Sequence, residues 1–389
     1  MNITVYGGSF DPPHLGHVAA AEAAWEQLRP DKLLIIPDCQ APHKRMAEDS
    51  ASPEQRLELC RLAFGAIPGA EVSDMEVRRG GKSYTCETLR QLRARYPAAE
   101  LSLMVGTDML TSFERWVDFR WILSQVTLAA FPRMPGDEAL IEQAAAHLRR
   151  AYGARVRCLA LKAVPAASTG VRAALAGRGG RELLPPAVYA YLIQNRLYGA
   201  RPDFAWLREQ AEAMLKPKRI PHVRGCEQEA VKLARRWGAD EELAAEAAIL
   251  HDITKKFELN EQLILCQKYG IITDTVERQS SKLLHAKTGA ALARDRFGVC
   301  GEVYEAIRWH TTGKPDMTLL EKVIYMADYI EPTRDFDGVD ALRRLAYEDL
   351  DKAMVLGFEM SLADIRSYGV EPHSNTLSAL AWYKRGNSQ

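Results

Sequence analysis

Six short apolar runs that read as strands occur before residue 162, and strand patterns vanish from Phe204 onward. The runs are residues 3–6, 32–36, the weaker 71–73, 101–105, 127–131 and 155–161. Helix patterns lie between them: the alanine-rich 18–27, ended with the help of Pro30, a helix opened by Ser52-Pro53-Glu54-Gln55, and 85–96. Strand, helix and strand in that order predict right-handed βαβ units on a parallel sheet. After Phe204 amphipathic helices follow one another, including 222–237, 241–251, 286–297 and 319–330, which predicts a separate all-α domain. At 389 residues the chain exceeds one ordinary core. Two domains are expected, 1–199 and 204–389, joined by a short connector at 197–203 after the helix that Pro185-Pro186 starts.

Hydrophobic residues at 47% and charged residues at 26% are those of a soluble globular protein, and the formal net charge is zero. General electrostatic attraction to nucleic acid or an anionic membrane is therefore not expected, so phosphate binding must come from local placement. The seven cysteines are scattered and odd in number, with no Cys-x-x-Cys pair, as in a protein with reduced thiols. No basic segment precedes an apolar run at the start and no stretch is long enough to span a bilayer, so a cytoplasmic protein is expected. Homo-oligomerisation is left open.

Directly behind the first run stands Gly7-Gly8-Ser9-Phe10-Asp11-Pro12-Pro13-His14-Leu15-Gly16-His17. Glycines at a strand end let backbone N–H groups approach an anion, and a helix starting near His14 points its positive end there. His14 and His17, three apart in that turn, can both donate to phosphate oxygens. In parallel sheets ligands bind beyond the carboxyl ends of the strands. There lie Lys44 in a proline-punctuated loop, Gly106-Thr107-Asp108, and Ser168-Thr169 followed by Arg172. Asp108 suits a ribose hydroxyl pair and a helix N-cap equally. Ser168 or Thr169 can cap the last helix, whose N–H groups then face phosphate together with Arg172.

The pattern G-x-F-D-P-x-H-x-G-H resembles the signature of nucleotidyltransferases that join a nucleoside triphosphate to a phosphorylated acceptor. Ser83-Tyr84-Thr85 with Thr88-Leu89, Gly106 to Leu110 with Trp116, Arg133-Met134-Pro135-Gly136 and Ser-Thr-x-Val-Arg extend the likeness, over residues 1–199, to bacterial nicotinate mononucleotide adenylyltransferases. The resemblance implies a Rossmann-like α/β domain in which the mononucleotide 5′-phosphate attacks the α-phosphate of ATP and pyrophosphate leaves. It implies His14, His17, Lys44 and Arg172 as the catalytic charge-stabilising set, with Mg²⁺ on ATP. Gly7, Gly8, Ser9, Phe10, His17, Gly106, Asp108, Ser168, Thr169 and Arg172 would hold ATP, and Tyr84, Thr85 and Trp116 the pyridine mononucleotide. Ala167 departs from the pattern, which has a second serine there. Phosphopantetheine or a phosphorylated alcohol is the alternative acceptor; Trp116 and the 83–89 segment favour the pyridine ring.

In the helical half His222 opens a helix, His251-Asp252 ends an apolar run, His285 opens another helix and His310 ends a third; Asp328 interrupts an apolar stretch. A carboxylate among apolar runs is costly unless it meets a cation, and imidazole with carboxylate suits first-row transition metals. The order His, His-Asp, His, His, Asp resembles the HD-domain phosphohydrolases. Around it, His251-Asp252-x-x-Lys255, His310-Thr311-Thr312-Gly313-Lys314 and Ala327-Asp328-Tyr329-Ile330-Glu331-Pro332 resemble the bacterial branch that cleaves diadenosine tetraphosphate symmetrically to ADP. The resemblance implies two transition-metal ions, iron or manganese. His222, His251, Asp252 and Asp328 would hold one, and His285, His310 and the bridging Asp252 the second. Asp252 and Lys255 would be catalytic, and Lys255, Thr311, Lys314 and Arg334 would bind the polyphosphate. Pro221, unexpected beside His222, would alter how that ring is presented. A metal-bound nucleotide sensor without hydrolysis is the alternative for this half.

Overall fold

The computed structural model describes residues 1–42 and 50–386. It forms two compact units, Met1–Arg201 and Pro202–Gln389.

The first unit is built on a six-stranded sheet: β1 (Asn2–Gly8), β2 (Lys32–Pro37), β3 (Ala70–Val72), β4 (Glu100–Gly106), β5 (Val126–Phe131) and β6 (Arg155–Cys158). Its order is β3-β2-β1-β4-β5-β6 and every pairing is parallel. The central strands are buried on both faces, which is why they read as unbroken apolar runs. β6, at the edge, alternates exposed and half-buried positions. Leu33, Ile35, Leu103 and Leu128 are almost wholly withdrawn from water, each contributing about 2 kcal/mol by burial. Helix starts follow local chemistry. Ser52 and Gln55 form a reciprocal capping box with Pro53 in the first turn of the Pro53–Phe64 helix. From β1 the chain proceeds outward to β2 and β3, then returns to β4 on the other side. The crevice opens at that reversal, beyond the carboxyl ends of β1 and β4.

Among its described residues the second unit is built of helices joined by turns and loops, with no strand. Its central helices are Ile220–Trp237, Glu241–Leu250, Ser281–Phe297, Gly301–Trp309 and Leu319–Ile330. Asp240 caps the second by accepting from the N–H groups of Glu242 and Leu243, and Thr318 with Glu321 boxes the start of the last. Pro221 lies in the first turn of the first helix, where a missing N–H costs nothing. The third begins at Ser281, earlier than its apolar pattern suggests, so His285 occupies the second turn instead of opening the helix. Among the described residues no helix is long and apolar enough to cross a membrane.

Candidate active sites

Beyond the carboxyl ends of β1 and β4 lies a cavity of about 560 Å³. Gly7, Gly8, Ser9, Phe10, His14 and His17 line one side of it; Gly106, Asp108 and Ser168 also line it, as do Tyr84, Thr85 and Trp116. The His14 and His17 rings lie 3.7 Å apart, centroid to centroid. The His14 backbone N–H donates to His17 Nδ1 at 3.2 Å, so the neutral His17 ring carries its proton on Nε2. Both nitrogens of the buried His14 ring lack a partner, an expensive condition that an anionic ligand relieves. Burial, with the Arg133 guanidinium adding to it, pulls His14 down to about 4. Burial, then His14 and Arg133, hold His17 well below the ordinary imidazole value. At neutral pH, without ligand, both rings are neutral N–H donors.

This has a thermodynamic consequence. A His14 pKa of about 4 folded against 6.5 unfolded leaves stability intact above pH 6.5 and removes it as pH falls toward 4, because the unfolded chain takes the proton first. The loss at the acid limit is roughly 3 kcal/mol. Thermal unfolding of the wild type should therefore weaken more steeply between pH 6.5 and 4 than that of His14→Asn. Coincident slopes would remove His14 from this role.

Arg133 is a cavity cation that the sequence reading named only within a motif. It donates to Asp108 Oδ2 at 2.6 Å. A Cβ on Gly106 would lie 2.7 Å from Arg133 Cδ, so the glycine seats the arginine. Asp108 is thus an ion-pair partner, and the N-cap position beside it is Gly106. Trp116 stacks on Phe113 at 4.8 Å. Tyr84 is the N-cap of the Thr85–Arg95 helix and makes no side-chain capping bond. Glu76 also faces the cavity; burial pushes its carboxyl up against the opposing effect of its bond from Thr88. Beneath the glycine turn, the wholly buried Arg56 donates to the Ser9 carbonyl (2.7 Å), Asp38 Oδ1 (2.9 Å) and the Cys39 carbonyl (2.9 Å). It thereby pins the loops after β1 and β2 together, a link of residues distant in sequence that no local pattern announces.

Arg172 and Thr169 are not among the residues lining the cavity. Arg172 donates to the Asp11 carbonyl at 2.7 Å and lies 3.4 Å from its carboxylate, which also receives the hydroxyls of Tyr198 (2.6 Å) and Ser50 (2.9 Å). Ser168 does not cap its helix. The N-cap is Ala167, the departing residue, and the Ser168 hydroxyl donates to the Pro12 carbonyl at 3.0 Å. Lys44 lies outside the described residues.

In the second unit, His222, His251, Asp252, His285, His310 and Asp328 all converge. Every ring holds its Nδ1 against an acceptor: His251 on Ala248 O (2.7 Å), His285 on Lys282 O (2.7 Å), His310 on Ile307 O (2.6 Å) and His222 on Glu331 Oε1 (2.9 Å). The four Nε2 atoms therefore turn inward. His222 and His251 approach to 3.4 Å, His285 and His310 to 3.0 Å. Lone pairs this close repel unless a cation stands among them. Asp252 straddles the two pairs: Oδ2 lies 3.9 and 3.6 Å from the first, Oδ1 3.1 and 3.8 Å from the second. Asp328 Oδ1 lies 3.0 Å from His222 Nε2. Asp252 Oδ1 is buried without a hydrogen-bond partner. This donor set fits divalent metal ions. Burial drives the Asp252 carboxyl up, but the neighbouring His251 and His285 rings and Lys255 together hold it well below the usual range.

Lys255 Nζ lies 3.0 Å from His285 Nε2, Thr311 Oγ1 3.5 Å from the same atom, and Arg334 donates to Asp328 Oδ1 at 2.7 Å. Arg219, which sequence reasoning missed, donates to Asp252 Oδ2. Lys314 is ion-paired at 3.1 Å with the buried Glu321. Another group, Asp274, Glu277 and His373, is a clasp. The Asn375 N–H donates to His373 Nδ1, so the neutral ring turns its Nε2 proton toward Asp274 (3.0 Å), while Lys287 pairs with Glu277 (2.6 Å).

Residues 5–169 match the cytidylyltransferase-like family model and residues 219–333 that of the HD domain. A probable nicotinate-nucleotide adenylyltransferase of Gemmatimonas aurantiaca is 37% identical over 54% of this chain and 99% of its own. The symmetrical bis(5′-nucleosyl)-tetraphosphatase of Bacillus subtilis is 37% identical over 46% of this chain and 99% of its own. A Mycoplasma pneumoniae protein named as a probable nicotinate-nucleotide adenylyltransferase/Ap4A hydrolase is 27% identical over 93% of this chain and 98% of its own. The chain belongs to the nicotinate-nucleotide adenylyltransferase family in its first half and, in its second, to the HD-domain family of symmetrical bis(5′-nucleosyl)-tetraphosphatases.

Proposed function

We propose that this chain is a bifunctional enzyme. Residues 1–199 transfer the adenylyl group of ATP to nicotinate mononucleotide, giving deamido-NAD and pyrophosphate. Residues 204–389 cleave diadenosine tetraphosphate symmetrically to two molecules of ADP. The observation that carries the reading is the pairing on one chain of a glycine-turn cavity holding two neutral histidines with an inward-facing set of four imidazoles and two carboxylates.

In the transferase, the protein supplies alignment and charge stabilisation, and no side-chain nucleophile is required. His14 and His17 donate N–H to oxygens of the reacting α-phosphate, and Arg133 brings the cavity's positive charge. The backbone of Gly7 to Phe10 approaches the triphosphate. Trp116 takes one face of the pyridine ring. The Thr85–Arg95 helix has no side-chain cap at its start, so its free N–H groups and positive end favour a carboxylate over a carboxamide. Mg²⁺ on ATP supplies further neutralisation of the triphosphate. Lys44 and Arg172 complete the clamp on the family pattern, which for Arg172 requires release from Asp11.

In the hydrolase, His222, His251 and Asp328 would hold one ion and His285 and His310 the second, with Asp252 placed to offer one carboxylate oxygen to each pair. Iron or manganese suits these ligands and, when bound, would make a water molecule nucleophilic at neutral pH. Lys255, Arg219 and Arg334 stand at the rim of the cluster, placed to receive polyphosphate oxygens. The intact protein, given ATP with either mononucleotide, should form the nicotinate dinucleotide faster by at least about tenfold. Given diadenosine tetraphosphate with Fe²⁺ or Mn²⁺, it should release ADP and no AMP. Equal use of the amide, or metal-independent or absent cleavage, would overturn the corresponding half.

A further inference from the structure

One of the four imidazoles is oriented differently from the others. His251, His285 and His310 each donate Nδ1–H to the carbonyl three residues earlier, a contact inherent to their own segment. His222 lies in the first turn of the Ile220–Trp237 helix and instead faces a carboxylate more than a hundred residues away, Glu331 Oε1 at 2.9 Å. Glu331 has no solvent exposure. It follows directly on the Leu319–Ile330 helix, three residues after Asp328, whose Oδ1 addresses the other nitrogen of the same ring at 3.0 Å.

Glu331 is itself fixed from several directions. Thr333 donates its N–H to Oε2 at 2.7 Å and its hydroxyl to Oε1 at 2.5 Å. Arg343 clamps the turn by donating to the carbonyls of Ile330 (2.9 Å), Glu331 (3.0 Å) and Arg334 (2.7 Å). The facing helix makes room: a Cβ at Gly225 would lie 2.5 Å from Glu331 Oε2, so any side chain there displaces the carboxylate. A buried, fully held acceptor opposite the distal nitrogen of an imidazole fixes which nitrogen presents its lone pair, and raises that nitrogen's basicity.

We infer that Glu331 is the positioning residue for His222: it keeps the proton on Nδ1 and Nε2 free to bind a metal, and Gly225 is the space that admits it. The inference rests on the two-ion hydrolase reading. It concerns one of the two ions only, since the rings on the far side of Asp252 are oriented by carbonyls of their own segments.

The test uses the full chain, wild type, Glu331→Gln and Gly225→Ala, each checked for folding by circular dichroism and for unchanged adenylyl transfer. Manganese titration of the metal-free proteins should show one of two binding steps weakened by about 10–100-fold in both variants. The other step should stay within about threefold of wild type. Nitrogen NMR of histidine-labelled wild type should find the His222 Nδ1 protonated both without metal and with zinc. Unchanged titrations in both variants, or equal weakening of both steps, would overturn the inference. So would an unprotonated Nδ1, and this holds even if wild type binds no metal, a result that would remove the hydrolase reading by itself. If one variant misfolds, the other with the NMR result decides.

Discussion

Asp252→Asn is expected to end diadenosine tetraphosphate cleavage, a fall of about three orders of magnitude or more, while adenylyl transfer continues at the wild-type rate. The amide keeps the shape of a side chain that is wholly buried, so folding should be preserved. What it loses is the ability to offer an anionic oxygen to each side at once. Oδ2 faces His222 and His251, and Oδ1 faces His285 and His310. On the two-ion reading, losing a carboxylate charge shared by both ions would cost several kcal/mol of transition-state stabilisation, which corresponds to that rate loss at 1.36 kcal/mol per decade. Metal analysis should find fewer ions bound per chain. A variant that keeps its metal and its turnover would show that Asp252 does not bridge.

The second large effect belongs to the other chemistry. His17→Ala should lower kcat for adenylyl transfer by about 10²–10³-fold, the cost of removing one preorganised donor at a developing charge. Its Nδ1 is tied to the His14 backbone, so its Nε2–H is the donor free for substrate. The KM for ATP should move far less than kcat, because a donor aimed at the reacting phosphate acts mainly in the transition state. Hydrolysis of diadenosine tetraphosphate should be untouched. A folded variant with near-normal turnover would exclude His17 from the chemistry.

Much of the fold was legible in the sequence because parallel strands buried on both faces leave continuous apolar runs, as β1, β2, β4 and β5 do, while the edge strands β3 and β6 are less buried and leave weaker ones. The helix over 319–330 was legible in full, since its capping pair and apolar stripe coincide. The start of the helix carrying His285 was not: its first turn holds Leu283 and the buried Leu284, but no side-chain cap marks where it begins. At the sites, the histidines and aspartates could be read because an adjacent His-Asp among apolar helices is chemically unusual. Partners made by tertiary contact could not. Arg56 meets Ser9 and Asp38 across long stretches of chain, and Arg219 reaches Asp252 from before the helix that carries His222. Lys314 reads as a phosphate-seeking cation until the structure reveals the buried Glu321 beside it.

Tyr198 carries a practical consequence for anyone who would divide this protein. Its hydroxyl is bonded to Asp11, inside the loop that presents His14, and its backbone is held at a φ of 59°, a conformation a tyrosine rarely adopts unaided. The seam between the units, at Arg201 and Pro202, therefore begins only three residues beyond a side chain that belongs to the adenylyl-transfer loop. An expression fragment trimmed back to the Pro186–Gln194 helix would look complete by its secondary structure yet lack this anchor. The shortest faithful transferase fragment extends through Arg201.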